Sequence, residues 1–354
     1  MPAIPSRLSN HGPLAVDRKK WVLFSMSQLT ITITLPVYNG MPYLKDAVAS
    51  VLRQTYTDFR FLIIDDGSTD DSAAYLKSLT DPRIRLIARE NRGLGTTLNQ
   101  LFSESTTDYV ARMDSDDVCD PDRIKTVMAF LEDNSDVVMV GCDQAFLVGL
   151  KTMNAAPRPT DHESIRRQLL IKRPGILHPT IVVRRDAWER VGGYRLGGAG
   201  EDLDFCLRMC DAGRVANIPA ILYYYRLHAV SLSSSRRQDV NFGYDYGVAC
   251  AVARERGEKE PELKAFRERW ESRSMFARTA THLGDLGQRL YRLSLVRRLE
   301  GRHLSSAAFM LGAAAVQPHT AADHMMKSAS RFFRQRQDKI LLSSPRVVRD
   351  PKFD

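Results

Sequence analysis

The sequence predicts an α/β protein with a mostly parallel central sheet flanked by helices over residues 30–232, and three observations carry this reading. From about residue 30, short apolar runs alternate with amphipathic helical patterns, the sequence form of a parallel α/β sheet. Those runs are continuous in Ile, Leu and Val instead of alternating with polar residues, as expected of strands covered on both faces. Beyond Ser235 the pattern becomes helical and rich in arginine. The chain therefore divides into a basic extension at 1–29, an α/β domain at 30–232 and a helical, basic region at 233–354.

Taken in order, Thr30–Leu35, Phe59–Ile64, Ile84–Ala88, Tyr109–Met113 and Val137–Gly141 read as five strands. Leu44, Ala47, Val48, Val51 and Leu52 recur at three-four spacing and mark a helix; Ile124, Val127, Met128 and Leu131 mark another. Past residue 145 the alternation is irregular, with prolines at 157, 159, 174 and 179. A helix over Asp202–Ala212 and an aromatic strand, Ile221–Tyr225, follow. In the C-terminal region Arg289–Leu299 sets Leu290, Leu293 and Leu299 beside Arg292, Arg297 and Arg298.

With 354 residues, 44% hydrophobic and 26% charged, the composition is that of a globular chain and excludes wholesale disorder. A formal charge of +9 favours an anionic partner: a nucleotide, a phospholipid surface or a nucleic acid. Five scattered cysteines with no Cys-x-x-Cys pair point to a reducing compartment. No stretch approaches eighteen consecutive apolar residues, and the leader, with Arg7, Arg18, Lys19, Lys20 and prolines, lacks the form of a signal peptide. A cytoplasmic protein is expected.

Four sites could carry chemistry. The first is Met113-Asp114-Ser115-Asp116-Asp117, three carboxylates directly after a strand, where ligands of an open parallel sheet bind. Crowded carboxylates repel one another unless solvated or neutralised by a hard divalent cation such as Mg2+ or Mn2+, although Asp and Ser also form turns and caps. The second, Asp65-Asp66-Gly67-Ser68-Thr69-Asp70, also ends a strand; Ser68 suits an N-cap and Asp70 and Asp71 a first helical turn, leaving Asp65 and Asp66 without a structural task. Carboxylates there would accept hydrogen bonds from a base or ribose. Third is Pro36-Val37-Tyr38-Asn39-Gly40 after the first strand, and fourth Gly200-Glu201-Asp202-Leu203-Asp204 at a helix start, with Tyr225-Arg226-Leu227-His228 some twenty residues on. Asp202 reads either as a dipole-stabilised helix start or as a carboxylate base.

Together the stretches LPVYNG, ASVLRQTYTDFRFLIIDDGSTDDS, NRGLGTTLNQ, YVARMDSDD, HPTIVVRRDAWERVGGYR, EDLDFCLR and YYYRLHAVSLS resemble the family 2 glycosyltransferases over roughly residues 30–232. The resemblance implies the GT-A fold and an inverting transfer of sugar from a nucleotide diphosphate, with a UDP-sugar favoured, to a hydroxyl on a glycan or lipid-linked acceptor. It implies that Pro36, Tyr38 and Asp65 line the nucleoside pocket, that Asp114, with Ser115, lies by the ribose, and that Asp116 binds the divalent cation. Asp202 becomes the general base, His228 a second metal or diphosphate ligand, and Arg226 a basic residue toward the donor. Leu101-Phe102-Ser103-Glu104-Ser105 departs from the Ala and Gly common in relatives, so no donor subgroup follows. Bacterial polysaccharide or cell-envelope glycan synthesis is the expected setting.

A nucleotidyltransferase would also use paired acids at a sheet edge, but LPVYNG supplies one glycine and no base for a phosphate loop. A nucleic-acid-binding module fits the basic balance, yet the acids concentrate at the crevice, where phosphate backbones would be repelled; no nucleic acid is expected. For the basic C-terminal region, with leucines and phenylalanines beside arginines in Arg289–Leu299 and Ser328–Gln337, two readings stand: peripheral contact with the inner face of the cytoplasmic membrane, or a helical cap on the catalytic domain.

Overall fold

A computed structural model describes residues 30–195, 200–228 and 237–316, so the leader at 1–29 and the segment Ser328–Gln337 lie outside the described residues. Strand β1 (Ile31–Val37) is buried throughout and lies at the centre of a parallel half-sheet ordered β3 (Ile84–Arg89), β2 (Arg60–Asp66), β1, β4 (Tyr109–Arg112). Helices α1 (Leu44–Leu52), α2 (Ser72–Lys77) and α3 (Leu94–Glu104) make the crossovers that parallel pairing requires. Leu44, Ala47, Val48 and Val51 of α1 pack under this half-sheet, as their spacing predicts. The continuous apolar runs hold for β1, β2 and β4, whereas β3 is only half-buried because it forms the edge.

Beyond β4 the sheet turns mixed. β8 (Val182–Arg184) runs antiparallel to β4 and to β6 (Val137–Val148), β9 (Arg214–Arg226) runs parallel to β6, and the two-residue β5 (Val118–Cys119) caps β9. β7 (Lys151–Asn154) pairs with β6 as a hairpin. The expected strand at 137–141 is the first part of β6, which runs on to Val148 with register shifts at Cys142 and Asp143. Helix α4 (Arg123–Asp133) packs Ile124, Val127, Met128 and Leu131 into the same core as α1.

Helices α5 (His162–Leu170), α6 (Arg185–Val191) and α7 (Glu201–Ala212) cover the other face around Phe102, Phe205 and Tyr194. All five cysteines are buried with free thiols, Cys206 and Cys210 both within α7's core contact. Helix α8 (Arg237–Glu255) packs on α7 and is followed by α9 (Leu263–Glu271), α10 (Met275–Leu299) and α11 (His303–Val316). Among the described residues no helix is long and apolar enough to cross a membrane.

One buried cation fixes the strand end that matters for function. Arg123 is fully buried, donates from Nη2 to the carbonyls of Arg112 at 2.8 Å and Thr180 at 3.1 Å, and lies over the Tyr223 ring. A charge so placed would be costly without those acceptors, so the end of β4 and the short 3-10 turn His178–Thr180 are held together by it.

Candidate active site

The C-terminal ends of β1 and β2 form one shelf, because their register sets Pro36 beside Ile64 and Val37 beside Asp65. Pro36 is buried, Asp65 is buried with Oδ1 accepting the Ser68 amide at 3.0 Å, and Tyr38 stands at the rim with 48% of its surface exposed. The loops after the two strands are stapled by side chains. Asn39, at φ 52°, accepts the amides of Thr69 at 2.7 Å and Asp70 at 3.3 Å through Oδ1, while its own amide donates to Ser68 Oγ at 3.0 Å. The amide of Gly40 donates to Ser72 Oγ and that of Met41 to Asp70 Oδ2.

Two local expectations are corrected here. Ser68 does not cap a helix: α2 starts at Ser72, and Ser68 and Asp70 serve the staple instead. Asp66 does have a structural task, accepting the amides of Arg92 and Gly93 at 2.9 Å and pairing with Arg89 at 2.6 Å. Asp65 alone of the pair faces the shelf with an oxygen to spare for a ligand.

The run after β4 folds into a tight turn that brings one carboxylate oxygen each from Asp114, Asp116 and Asp117 within 4.8 Å of one another. Ser115 lies against Gly40, where an added Cβ would stand 3.4 Å from Ser115 Oγ, so this turn abuts the β1 shelf. Asp114 receives a two-pronged bond from Arg112, Nη2 to Oδ1 at 2.6 Å and Nη1 to Oδ2 at 3.1 Å, and its amide donates to Tyr223 Oη. Burial still pushes the Asp114 carboxyl up against the pull of Arg112. Asp117 is buried; Oδ1 accepts the Arg226 amide at 2.8 Å, and Oδ2 has no hydrogen-bond partner among the described residues. Burial, with Asp116 and Asp114 beside it, raises the Asp117 carboxyl well above its usual range.

The tail of β9 closes the turn. His228 Nε2 lies 2.8 Å from Asp116 Oδ2, and its ring packs on Tyr43. Arg226 donates from Nε to the Asp116 carbonyl at 2.7 Å, pairs with Asp46 of α1 at 2.9 Å and stacks on Tyr43. Much of the Arg226 guanidinium is thus engaged in holding the acidic turn, a positioning task the sequence reading did not foresee. An orphaned buried oxygen on Asp117, two further carboxylates and an imidazole make a donor set that suits a hard divalent cation.

Across from this turn, α7 presents Glu201, Asp202 and Asp204 in its first turn. Asp202 accepts the Tyr244 hydroxyl at 3.1 Å on Oδ2, and burial raises its carboxyl. Glu201 is buried with Oε2 unpartnered among the described residues, and burial together with Asp202 pushes it up to about 8. Asp204 turns away and is bound by Arg195 at 2.6 Å and Arg208 at 2.8 Å. Arg112 joins the two clusters: its charge is felt by Asp114, Asp202 and Glu201 alike, and by His178, whose imidazole is held well below its ordinary value by burial and by Arg112. His178 Nε2 sits 2.8 Å from Tyr194 Oη.

The sequence reading counted Asp117 among the three carboxylates without giving it a separate role, and it missed Arg112, Tyr43 and Tyr244. Arg112 was accessible to it, since residues two apart in an extended chain point the same way and Arg112 thereby faces Asp114.

Acidic residues gather at the carboxyl edge of a half-parallel α/β sheet, opposite a carboxylate on a helix start, which is where open α/β sheets bind their ligands. Residues 32–192 match the model of glycosyl transferase family 2. The O-antigen biosynthesis glycosyltransferase WbnJ of Escherichia coli is 31% identical over 217 residues, which span 58% of this chain and 82% of that protein. An uncharacterized glycosyltransferase of Haemophilus influenzae is 28% identical over 225 residues, 60% of this chain and 69% of its own length. The structure of S. aureus TarS 1-349 in complex with UDP-GlcNAc shares the fold at a TM-score of 0.56, with 16% identity over 82% of this chain and 92% of that chain. The chain belongs to glycosyltransferase family 2 and is a glycosyltransferase of GT-A fold. The family match ends at residue 192, so Asp202, Arg226, His228 and Tyr244 all lie beyond it.

Proposed function

We propose that this glycosyltransferase carries a sugar from a nucleotide diphosphate donor, a UDP-sugar first among them, to a hydroxyl on a glycan or lipid-linked acceptor, with inversion. The observation that carries the reading is the Asp114, Asp116 and Asp117 turn, closed by His228 at 2.8 Å from Asp116 and set at the end of the β1–β2 shelf. UDP-GlcNAc in S. aureus TarS and the O-antigen role in the name of WbnJ support a uridine donor and a bacterial polysaccharide or cell-envelope product.

In this reading Tyr38 offers its exposed ring to the base, while Pro36 and Asp65 complete the nucleoside pocket, Asp65 through its spare oxygen. Asp114 and Ser115 face the ribose, Arg112 holding Asp114 in place. Asp116 and His228, with Asp117 behind them, would hold Mn2+ or Mg2+, which when bound supplies charge to stabilise the departing diphosphate. Asp202 takes the acceptor's proton as the acceptor oxygen bonds to the anomeric carbon; the bond to the diphosphate breaks and the electron pair leaves with it. Burial, with Asp202 beside it, pushes Glu201 up to about 8, and burial also raises Asp202, which unlike Glu201 receives a side-chain hydroxyl, that of Tyr244.

The same proposal places the enzyme on the cytoplasmic side, against the inner face of the membrane. On α10, Phe276, Leu283, Leu286 and Leu293 are exposed; on α11, Leu304 and Leu311 are exposed with Ala307, Ala308 and Ala315 between and beyond them. Exposed Arg278, Arg289, Arg298 and Arg302 stand alongside, the combination of apolar face and cationic rim that binds anionic lipid.

The test is isothermal titration with UDP, GDP and dTDP in Mn2+ and then EDTA. Binding of one nucleotide that is lost with the chelator and with Asp116→Ala supports the site; binding indifferent to both refutes it. Flotation with phosphatidylserine liposomes tests the membrane contact, and a protein that stays at the bottom of the gradient rejects it.

A further inference from the structure

Helix α8, like α7, lies beyond the family-matched region, and it is packed so closely on α7 that its Tyr244 reaches Asp202. Gly200, at φ 92°, opens α7, and a Cβ there would stand 2.8 Å from the Val240 carbonyl and 2.9 Å from Gly243 Cα. One turn further along α8, a Cβ on Gly247 would stand 3.1 to 3.2 Å from the backbone and Cβ of Asp204. Gly243 and Gly247, four apart on one face of α8, thus let the two helices touch backbone to backbone, and between them Tyr244 delivers its hydroxyl to Asp202 Oδ2 at 3.1 Å.

Ion pairs outside the site secure this docking. Arg195 binds both Asp204 and Glu260, Arg254 of α8 binds Glu260 and Asp211, and Arg166 of α5 reaches Asp211 and Glu255. The network leaves Tyr244 free of any such task.

We propose that Tyr244 is a positioning residue for transfer: α8 lies beyond the expected domain boundary at 232, yet it completes the active site by holding one oxygen of Asp202 so that the other meets the acceptor hydroxyl. The inference rests on the reading of Asp202 as base. A phenol that donates to Oδ2 fixes the carboxylate's rotation about its Cβ–Cγ bond and stabilises its ionised form against burial. Other groups act on the same carboxyl: Glu201 on α7, Asp114 and Arg112 at the end of β4, Tyr194 before α7 and Cys206 one turn along it. The Leu203 amide, the Tyr244 hydroxyl, the Arg112 charge and Asp202's own amide favour its charged form, and of these Tyr244 and Arg112 are the side chains.

The experiment compares wild type, Tyr244→Phe and Tyr246→Phe. Tyr246 is the control, since it lies on the same helix and donates to the Pro261 carbonyl at 3.1 Å. In EDTA, the Asp202 carboxyl is titrated by 13C NMR of protein labelled at aspartate Cγ and assigned with Asp202→Asn, which needs no knowledge of the substrate. Tyr244→Phe is expected to raise the Asp202 midpoint by about one pH unit, with Tyr246→Phe unchanged. With the donor identified by nucleotide titration, Tyr244→Phe is expected to lower kcat about tenfold at unchanged donor KM and to move the acid limb of the pH profile upward.

An unmoved midpoint in Tyr244→Phe, or an equal shift in Tyr246→Phe, overturns the positioning role while leaving the base assignment intact. Full turnover in Asp202→Asn instead overturns the base assignment, whatever the titration shows.

Discussion

At the end of β4 three carboxylates converge, and at the start of α7 three carboxylates diverge. The difference is one of backbone. Asp114, Asp116 and Asp117 sit in a turn whose chain folds over itself, clamped by Arg112 on one side and by the Arg226 amide and guanidinium on the other, so their oxygens come within 4.8 Å. Glu201, Asp202 and Asp204 sit on a helix that rotates about 100° per residue, so Asp202 and Asp204 point to nearly opposite sides. The convergent cluster suits a cation that must be shared among several oxygens. The divergent one gives each carboxylate a separate fate: Asp204 to Arg195 and Arg208, Asp202 to the site, Glu201 to the interior.

The contrast is broken most severely at Asp202. Asp202→Asn is expected to cut turnover by about 10²- to 10⁴-fold while nucleotide affinity stays within about twofold, because the substitution removes the proposed proton acceptor and leaves the converging cluster untouched. Steady-state turnover paired with nucleotide titration checks this, and a loss of affinity equal to the loss of turnover would move Asp202 to the donor side.

Asp204, two residues on, is expected to do the opposite. Asp204→Ala strips the buried Arg208 of its counter-charge and removes one partner of Arg195, costing about 3 kcal/mol of stability in urea unfolding. Although burial pushes the Asp204 carboxyl up, bonds from Arg195 and Arg208 hold it below its usual range. Its contribution is therefore present above about pH 4 and is lost as the pH falls through the folded value.

How far the sequence disclosed this follows from where each signal resides. The β1, β2 and β4 strands and helices α1 and α4 were legible because their apolar spacing is local. Beyond β4, β6 and β9 were legible in part, at 137–141 and 221–225, but β5, β7 and β8 were not; β8 is three residues long and pairs with segments far along the chain. Asp65 and Asp66 stand side by side in the sequence, but only the contact with Arg89 and the amides at 92 and 93 separates the structural acid from the one facing the shelf. Tyr244 carried no local mark, being one of several aromatic residues in a long helix; the Gly243 and Gly247 spacing was the sole hint of close packing.

Glu201 sharpens the comparison from within the divergent run. Its carboxyl is pushed up to about 8 in the folded chain, so the folded state holds a proton that the unfolded chain releases near pH 4.5. That sign means stability is greatest at low pH and falls as the pH rises toward the folded value. Glu201→Gln removes the slope, and the variant is expected to gain about 2 kcal/mol on wild type between pH 6 and pH 8. Thermal unfolding at those two pH values measures it; parallel curves would show that Glu201 is already ionised in the fold.

The smallest expected effect lies in the convergent run, at His228. Its Nε2 meets Asp116 at 2.8 Å and its ring rests on Tyr43, so it has both a ligand's position and a packing role. His228→Ala is expected to weaken Mn2+-dependent nucleotide binding about tenfold, less than Asp116→Ala, because the carboxylates remain to hold the cation. Mg2+, which favours oxygen donors more strongly than Mn2+, should lose less than Mn2+ in the same variant. If the two cations lose equally, His228 acts through Tyr43 and the set of the acidic turn instead of through its nitrogen, and the convergent cluster is a purely carboxylate one.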